Sequence, residues 1–175
     1  MSIHSSRFTR PLARRVVPFA AALGCALTLG AVSAPSASAE APTFQHFSGS
    51  FTELDTDTCG FPITNDEAFT VDVQFFYDRD GNLDHSIAHL QLRGTDSANG
   101  VTLIDDANIT HTFDFTTGVN GDLGLQSQVR APNGGVVAID AGRVLSLDDG
   151  TVLFAAGRHD FLSGDLGAYC AALSG

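Results

Sequence analysis

Apolar and polar side chains alternate with a period of two along most of the chain from Phe44 onward. The pattern is clearest over Glu67–Tyr77 and is repeated over Asn108–Phe115. Because successive side chains of a β-strand point to opposite faces of a sheet, this period predicts strands with one core face each. The same pattern predicts further strands at Thr43–Leu54, Leu83–Leu92, Leu123–Arg130, Val136–Val144 and Thr151–Phe161.

Compact turn signals separate several of these strands, at 80–82, 133–135 and 148–150. Asp, Asn and Gly at these positions accept the positive φ angles of hairpin turns, so neighbouring strands should be antiparallel. A sheet of about seven or eight strands must bury its core face and protect its edges. The sequence therefore predicts an all-β fold, an antiparallel closed barrel, with a β-sandwich as the alternative. A short helical turn over Leu166–Leu173 is predicted to carry Cys170.

The first 39 residues follow a different pattern. Arginines at the start precede an apolar run, Val16–Val32, and the small residues Ala37 and Ala39 then fit a signal-peptidase site. We expect cleavage between Ala39 and Glu40, which divides the chain into a signal peptide, 1–39, and a secreted domain, 40–175. The apolar run is shorter than the ~20 residues of a membrane span.

Two alternatives concern the route and the end state of export. Cys25 follows Leu23 and Gly24, as in a lipoprotein processing site, and the alternative to a free secreted domain is a lipid anchor at Cys25. Adjacent arginines at 14 and 15 leave both the Sec and the twin-arginine routes open.

The domain that follows the signal peptide is strongly acidic. It contains all 20 acidic residues of the chain and five arginines, and the sequence has no lysine. Its formal charge of −15 repels nucleic acid and anionic lipid surfaces, which are bound through clustered cations. We therefore expect no nucleic-acid partner and no membrane span.

Cys59 and Cys170 are the cysteines that remain after cleavage. An exported chain experiences an oxidising environment, so the pair predicts a disulfide that closes most of the domain. The alternative, a nucleophilic thiol, needs a basic neighbour to form the thiolate, and neither cysteine has one in the sequence.

Four histidines and an aspartate are the candidates for acid–base chemistry. His85 and His89 have the spacing of a helical zinc pair, but four residues along a strand span about 13 Å, which is too far for one metal. Asp140 faces His159 if the following hairpin has a two-residue loop, and faces Arg158 if the loop has three residues. A small hydrolase or cyclase would use these side chains, which are His85, His89, His111, Asp140 and His159.

Oxygen-bearing side chains recur at alternate positions of the segment 78–84, as in a calcium loop. The candidate ligands are Asp78, Asp80, Asn82 and Asp84. The glycine is misplaced for an EF-hand and no helices flank the segment, so a hairpin turn is the competing explanation.

The motif Cys59-Gly60-Phe61-Pro62, together with a lone cysteine near the C-terminus, resembles a group of small exported actinobacterial proteins of unknown function. The resemblance implies a secreted β-domain with a Cys59–Cys170 bridge and brings no catalytic residues. The number of hairpins also resembles eight-stranded barrels of the allene oxide cyclase-like and lipocalin-like folds.

These observations predict a secreted, monomeric, disulfide-closed domain without enzymatic activity or cofactor, which acts as a binding or envelope-associated module. Its interior would be filled by phenylalanines or would hold a small apolar ligand between them. The phenylalanines concerned are Phe69, Phe75, Phe113 and Phe115. The alternatives are the hydrolase or cyclase and a calcium-dependent adhesion module.

Overall fold

A computed structural model describes residues 41–175 of the chain. This part contains seven strands followed by two short helices. The strands are β1 (Thr43–Asp55), β2 (Ile63–Tyr77), β3 (Leu83–Ala98), β4 (Val101–Asp114), β5 (Val119–Arg130), β6 (Val136–Leu147) and β7 (Val152–His159). The helices are α1 (Asp160–Ser163) and α2 (Gly167–Leu173). The predicted all-β class and the helical turn that carries Cys170 are confirmed.

The seven strands form one antiparallel sheet in sequence order, so that each strand pairs with the next one along the chain. The sheet is not closed, and the predicted closed barrel is not supported. An odd number of antiparallel strands leaves β1 and β7 running in the same direction, so closure would need a parallel seam. The open sheet is compatible with the alternative prediction, a β-sandwich, in which sheets keep their edges.

The predicted turns join β2 to β3, β5 to β6 and β6 to β7. The hairpin between β3 and β4 was not among the predicted turns. It is made by Asn99 and Gly100, which have φ angles of 50° and 81°. Both central residues of a type I′ turn need positive φ, and Asn-Gly is the pair that adopts it most readily. This turn extends β3 to Ala98 and starts β4 at Val101.

The core lies at one end of the sheet, where α2 packs on it. Its buried residues come from five strands and α2, and they are Ile63, Ala98, Leu103, Val129, Ala138, Tyr169 and Leu173. The predicted disulfide is confirmed: Cys170 of α2 is bonded to Cys59, with the Cα atoms 5.4 Å apart. The bridge ties the helical cap to the segment that leads into β2.

The predicted signal peptide, its cleavage site after Ala39 and the alternative lipid anchor at Cys25 lie outside the described residues. In the part of the chain that the structure does describe, no helix is both long enough and apolar enough to cross a bilayer.

Candidate functional site

The strand register assigns every strand side chain to one of two faces. The face on which Ile63, Leu103 and Val129 pack beneath α2 is called the helix-side face, and the other is called the opposite face. Register partners share a face, so the assignment propagates across the sheet from β1 to β7.

The helix-side face of β1–β4 carries an apolar area that extends beyond the residues packed around α2. One row runs from Phe47 through Val71 and Leu90 to Ile109, each opposite the next across adjacent strands. Phe47 is 44% exposed. The apolar area is defined by ten residues of this face, which are Phe47, Phe51, Phe69, Val71, Val73, Phe75, Leu90, Leu92, Ile109 and Phe113.

Glycine and aromatic residues shape this area at its β1 side. The ring of Phe69 lies where a side chain at Gly49 would stand, 2.9 Å from the position of a Cβ atom there. The ring also approaches Phe51, with centroids 6.3 Å apart. The absence of a side chain at Gly49 therefore lets an aromatic surface spread across two strands.

Charge is divided between the two faces. Every arginine in the strands lies on the opposite face, and these are Arg93, Arg130, Arg143 and Arg158. Among the described strands, no arginine lies on the helix-side face, and the carboxylates of that face are Glu53, Asp55, Glu67, Asp96, Asp105, Asp122 and Asp140. Because the sequence has no lysine, histidines are the groups of the described strands on this face that can become cationic.

His111 and Asp122 form a hydrogen-bonded pair at the margin of the apolar area. They are register partners on β4 and β5, and Nδ1 of His111 lies 2.7 Å from Oδ1 of Asp122. The side chains are 37% and 36% exposed. The carboxylate fixes the orientation of the imidazole and leaves Nε2 directed away from it, as in sites where histidine acts as a base.

The structure does not bring the candidate catalytic histidines together. His85 and His89 lie on the opposite face of β3, and His111 lies on the helix-side face of β4. His85 binds Asp84 and stacks on Phe76 with ring centroids 4.3 Å apart, while His89 contacts Thr110. The predicted strand conformation of 83–92 is confirmed, so the spacing of His85 and His89 places them apart along one strand.

Asp140 and His159 are register partners, which is the first of the two predicted registers. The hairpin reaches this register without the two-residue loop that the prediction assumed. The loop keeps three residues, because Ser146 pairs with Val152, and an irregularity beyond Ser146 then shifts the register by one residue. Asp140 accepts a hydrogen bond from the backbone N–H of Phe161, and Nε2 of His159 lies 3.2 Å from the carbonyl oxygen of Ala156.

Buried carboxylates beneath the helices are held by hydrogen bonds. Asp105 accepts a hydrogen bond from the Ser127 hydroxyl, and Asp96 accepts a hydrogen bond of 2.9 Å from the Tyr169 hydroxyl. Burial of the phenol, followed by the negative charge of Asp96, raises the pKa of Tyr169 above its ordinary value. The Tyr169–Asp96 hydrogen bond joins α2 to β3, and the Ser127–Asp105 hydrogen bond joins β5 to β4, so part of the acidity of the helix-side face is structural.

The candidate calcium ligands lie in the β2–β3 hairpin. Oδ1 of Asp78 accepts the backbone N–H groups of Asp80 and Asn82, each at 2.8 Å. Hydrogen bonds lower the pKa of Asp78. The bond from the side-chain amide of Asn82 has the largest effect, and the backbone hydrogen bonds add to it. The carboxylate therefore serves the turn itself. Among residues 41–175 no group of three or more His, Cys, Asp or Glu side chains is arranged to hold a metal ion.

Two depressions in the described surface are open. One, around β1–β3, is lined by Ser50, Phe51, Thr52, Asp66, Glu67, Ala68 and Arg93, and the other, beside β7, is lined by Ala155, Gly157, Arg158, His159, Asp160, Leu162 and Ser163. Comparison with protein-family models, curated proteins and solved structures gave no match. The site has therefore to be understood from its own chemistry.

The sequence pattern indicated the aromatic residues of the apolar area but missed the division of charge. Phe69, Phe75 and Phe113 lie on the helix-side face, half-buried, and Phe115 follows β4 with its ring edge-on to Phe113 at 4.6 Å. Asp122 was not a candidate, because its role depends on its register partner in β4. The face of an isolated acidic residue follows from the alternation only when the strand register is known.

Proposed function

We propose that this chain is an exported binding module whose helix-side face binds a polypeptide partner with apolar and basic side chains. The proposed export rests on the signal-peptide pattern of residues 1–39, with cleavage between Ala39 and Glu40, and on the resemblance of the Cys-Gly-Phe-Pro motif to small exported actinobacterial proteins. The observation that carries the binding proposal is the apolar area, which shares its face of the described strands with carboxylates and with no arginine.

The shape of the apolar area favours a macromolecular partner. Small molecules are usually held in concave sites that enclose most of their surface. The depressions on the described residues are open, and the apolar area extends across four strands. Extended, partly exposed apolar surfaces of soluble proteins are typical of protein–protein contacts.

The charge of the surrounding residues favours a basic partner over a second copy of this face. Two copies packed through their helix-side faces would place Glu53 and Asp122 of each copy in a contact that contains no arginine or lysine. Like charges that face each other across an interface cost binding free energy, whereas a basic partner gains attraction and a faster association rate. Glu53 is exposed and Asp122 is partly exposed, so both can meet such a partner.

The proposal is tested with two amphipathic peptides of equal length and leucine content, one with lysine and one with glutamate at its polar positions. Isothermal titration of the oxidised domain should show binding of the lysine peptide and a loss of affinity as salt is raised. Phe47→Ser should weaken binding at least about fivefold, as expected for loss of an aromatic contact. Asp122→Asn should weaken it through the lost charge.

Matched controls lie on the opposite face of the same strands or in an equivalent hydrogen-bonded pair. Phe44→Ser removes a ring that is 74% exposed on β1, and Asp72→Asn alters the His46–Asp72 pair, whose atoms also lie 2.7 Å apart. Neither control should change the affinity. Equal binding of the glutamate peptide, or an equal loss of affinity with the control variants, contradicts the proposal.

A further inference from the structure

Strand β7 forms one edge of the open sheet and is exposed along almost its whole length. Every residue from Val152 to Arg158 is exposed, and only His159 is partly buried. Its one neighbour in the sheet is β6. The outward edge of β7 therefore presents backbone groups that no other described strand pairs with.

The alternation of the hydrogen-bond ladder shows which residues face outward. The carbonyl oxygen of Ala156 lies against Gly142 of β6, 2.1 Å from the position of a Cβ atom there, so Ala156 points its backbone groups into the sheet. In an antiparallel ladder, alternate residues direct both backbone groups to the same side. Ala155 and Gly157 consequently direct their N–H and C=O groups away from β6, whereas the register shift at Leu153 interrupts the alternation there.

Natural proteins protect such edges with lysine, proline, bulges or covering segments. Strand β7 has the sequence Val-Leu-Phe-Ala-Ala-Gly before its one charged residue, Arg158; it has no lysine or proline, and its register irregularity at Leu153 leaves residues 154–158 regularly paired with β6. The side chain of Arg158 is 65% exposed although it pairs with Asp160. At the other end of the strand lies the acidic turn of Asp148 and Asp149, which is also exposed.

We propose that two copies of this chain pair through their β7 strands in antiparallel orientation, about a twofold axis at Ala155. In this register Ala155 faces Ala155 of the second copy, and Phe154 faces Ala156. The outward N–H and C=O groups of the two Ala155 residues become paired with each other, and the Arg158 end of each strand lies beside the Asp148–Asp149 turn of the other copy. This dimer replaces the monomer expected from the sequence and leaves the helix-side face of each copy available.

The test measures the mass of the oxidised domain by sedimentation over a range of concentrations. The unmodified protein should dimerise reversibly. Ala155→Pro removes an outward N–H, and Phe154→Lys places a cation at the edge, so each should raise the dimer dissociation constant at least about tenfold. Leu123→Lys is the matched control, since Leu123 is 56% and Phe154 48% exposed, but Leu123 lies within the sheet on β5.

The register is tested separately with a cysteine at the twofold axis. Directly hydrogen-bonded partners have Cα atoms about 5.5 Å apart, a distance that a disulfide spans. Ala155→Cys should therefore crosslink two copies under mild oxidation, and Ala156→Cys on the same strand should not. Circular dichroism checks that each variant is folded, and Phe154→Lys keeps the test decisive if Ala155→Pro does not fold.

Several outcomes overturn the inference. A domain that stays monomeric at every concentration has no β7 pairing. Assemblies that grow beyond two copies indicate that β7 pairs with β1 of the next copy, and equal crosslinking through Ala156→Cys excludes the proposed register.

Discussion

Asp160 shows how a single carboxylate can join three parts of the chain. It is 5% exposed and begins α1, where it accepts hydrogen bonds from the guanidinium of Arg158 and from the backbone N–H of Ile139 on β6. The hydrogen bonds from Arg158 are the largest cause of the lowered pKa of Asp160 and outweigh the effect of burial. The ionised form is therefore the one that the folded protein prefers.

The sign of this pKa shift predicts how stability depends on pH. A carboxylate with a lowered pKa stabilises the fold above the pKa of the unfolded chain, about 3.9, and this contribution is lost as the pH falls through the folded-state value. Asp160→Asn should lower the free energy of unfolding by about 2 kcal/mol at neutral pH, since charged hydrogen bonds are replaced. The difference from the unmodified protein should shrink below about pH 4.

Urea unfolding at a series of pH values measures this difference. Asp80→Asn is the charge-matched control, because Asp80 lies exposed in the β2–β3 turn and should show no such loss. A deficit of Asp160→Asn that is the same at pH 3 and pH 7 would show that the ionised carboxylate is not the source of the stabilisation.

At the scale of elements, β6 and β7 come into close contact where two glycines face each other. Gly142 and Gly157 are register partners with φ angles of 140° and 123°. A Cβ atom on Gly157 would lie 2.1 Å from the carbonyl oxygen of Ala141. The edge strand can pack against β6 at this point only because neither residue has a side chain.

Gly157→Ala should therefore destabilise the domain by more than the ~1 kcal/mol that positive φ alone costs an alanine. Two further variants separate steric overlap from backbone strain. Gly150→Ala has positive φ but open space around the new methyl group, and Gly167→Ala lies at the start of α2 with open space and no φ in the left-handed range. Thermal unfolding should rank the losses as Gly157→Ala, then Gly150→Ala, with Gly167→Ala neutral or stabilising. Equal losses at 150 and 157 contradict the steric explanation.

Strands were predictable from the sequence where their side chains alternate, as in β2 and β4. The prediction is incomplete where alternation is weak: it ends β3 at Leu92, although Asn99 and Gly100 form an Asn-Gly pair, a strong short-range hairpin signal. Residues 160 and 161 were predicted as the end of the last strand but begin α1, because Asp160 is drawn back to Arg158 and Ile139. Such tertiary hydrogen bonds leave no periodic pattern.

The candidate site depends on information that a single strand does not contain. The aromatic residues of the apolar area follow from the alternation within β2 and β4. The division of charge, by contrast, requires the register of all seven strands, and a bulge reverses the face of every residue beyond it. The Asp140–His159 pair illustrates this dependence. A two-residue loop alone would make these residues partners, but the hairpin has a three-residue loop, and a shift of one residue in the register then restores the same pairing.

For the described domain as a whole, the disulfide connects α2 to the segment before β2, two parts that strand pairing does not join. The seven strands pair only with their sequence neighbours, and the compact core lies at one end under α2. Cys59 precedes β2 and Cys170 lies in α2, at a sequence separation of 111 residues. The bridge therefore fixes the cap over the core even though no strand closes the sheet.

Reduction of this bridge should cost much of the stability of the domain. Loops of about 100 residues correspond to a contribution near 4.7 kcal/mol in the chain-entropy model, which is a large fraction of the stability of most domains. A Cys59→Ala, Cys170→Ala double variant should unfold at a much lower urea concentration than the oxidised protein, and dithiothreitol should change the unfolding midpoint of the oxidised protein but not that of the variant. Intact-mass analysis of the exported protein provides the control, with Glu40 as its first residue and no thiol available for alkylation. Two alkylated cysteines in the exported protein, or equal midpoints for the oxidised protein and the double variant, would show that the cap is held by α2 packing and the Tyr169–Asp96 hydrogen bond alone.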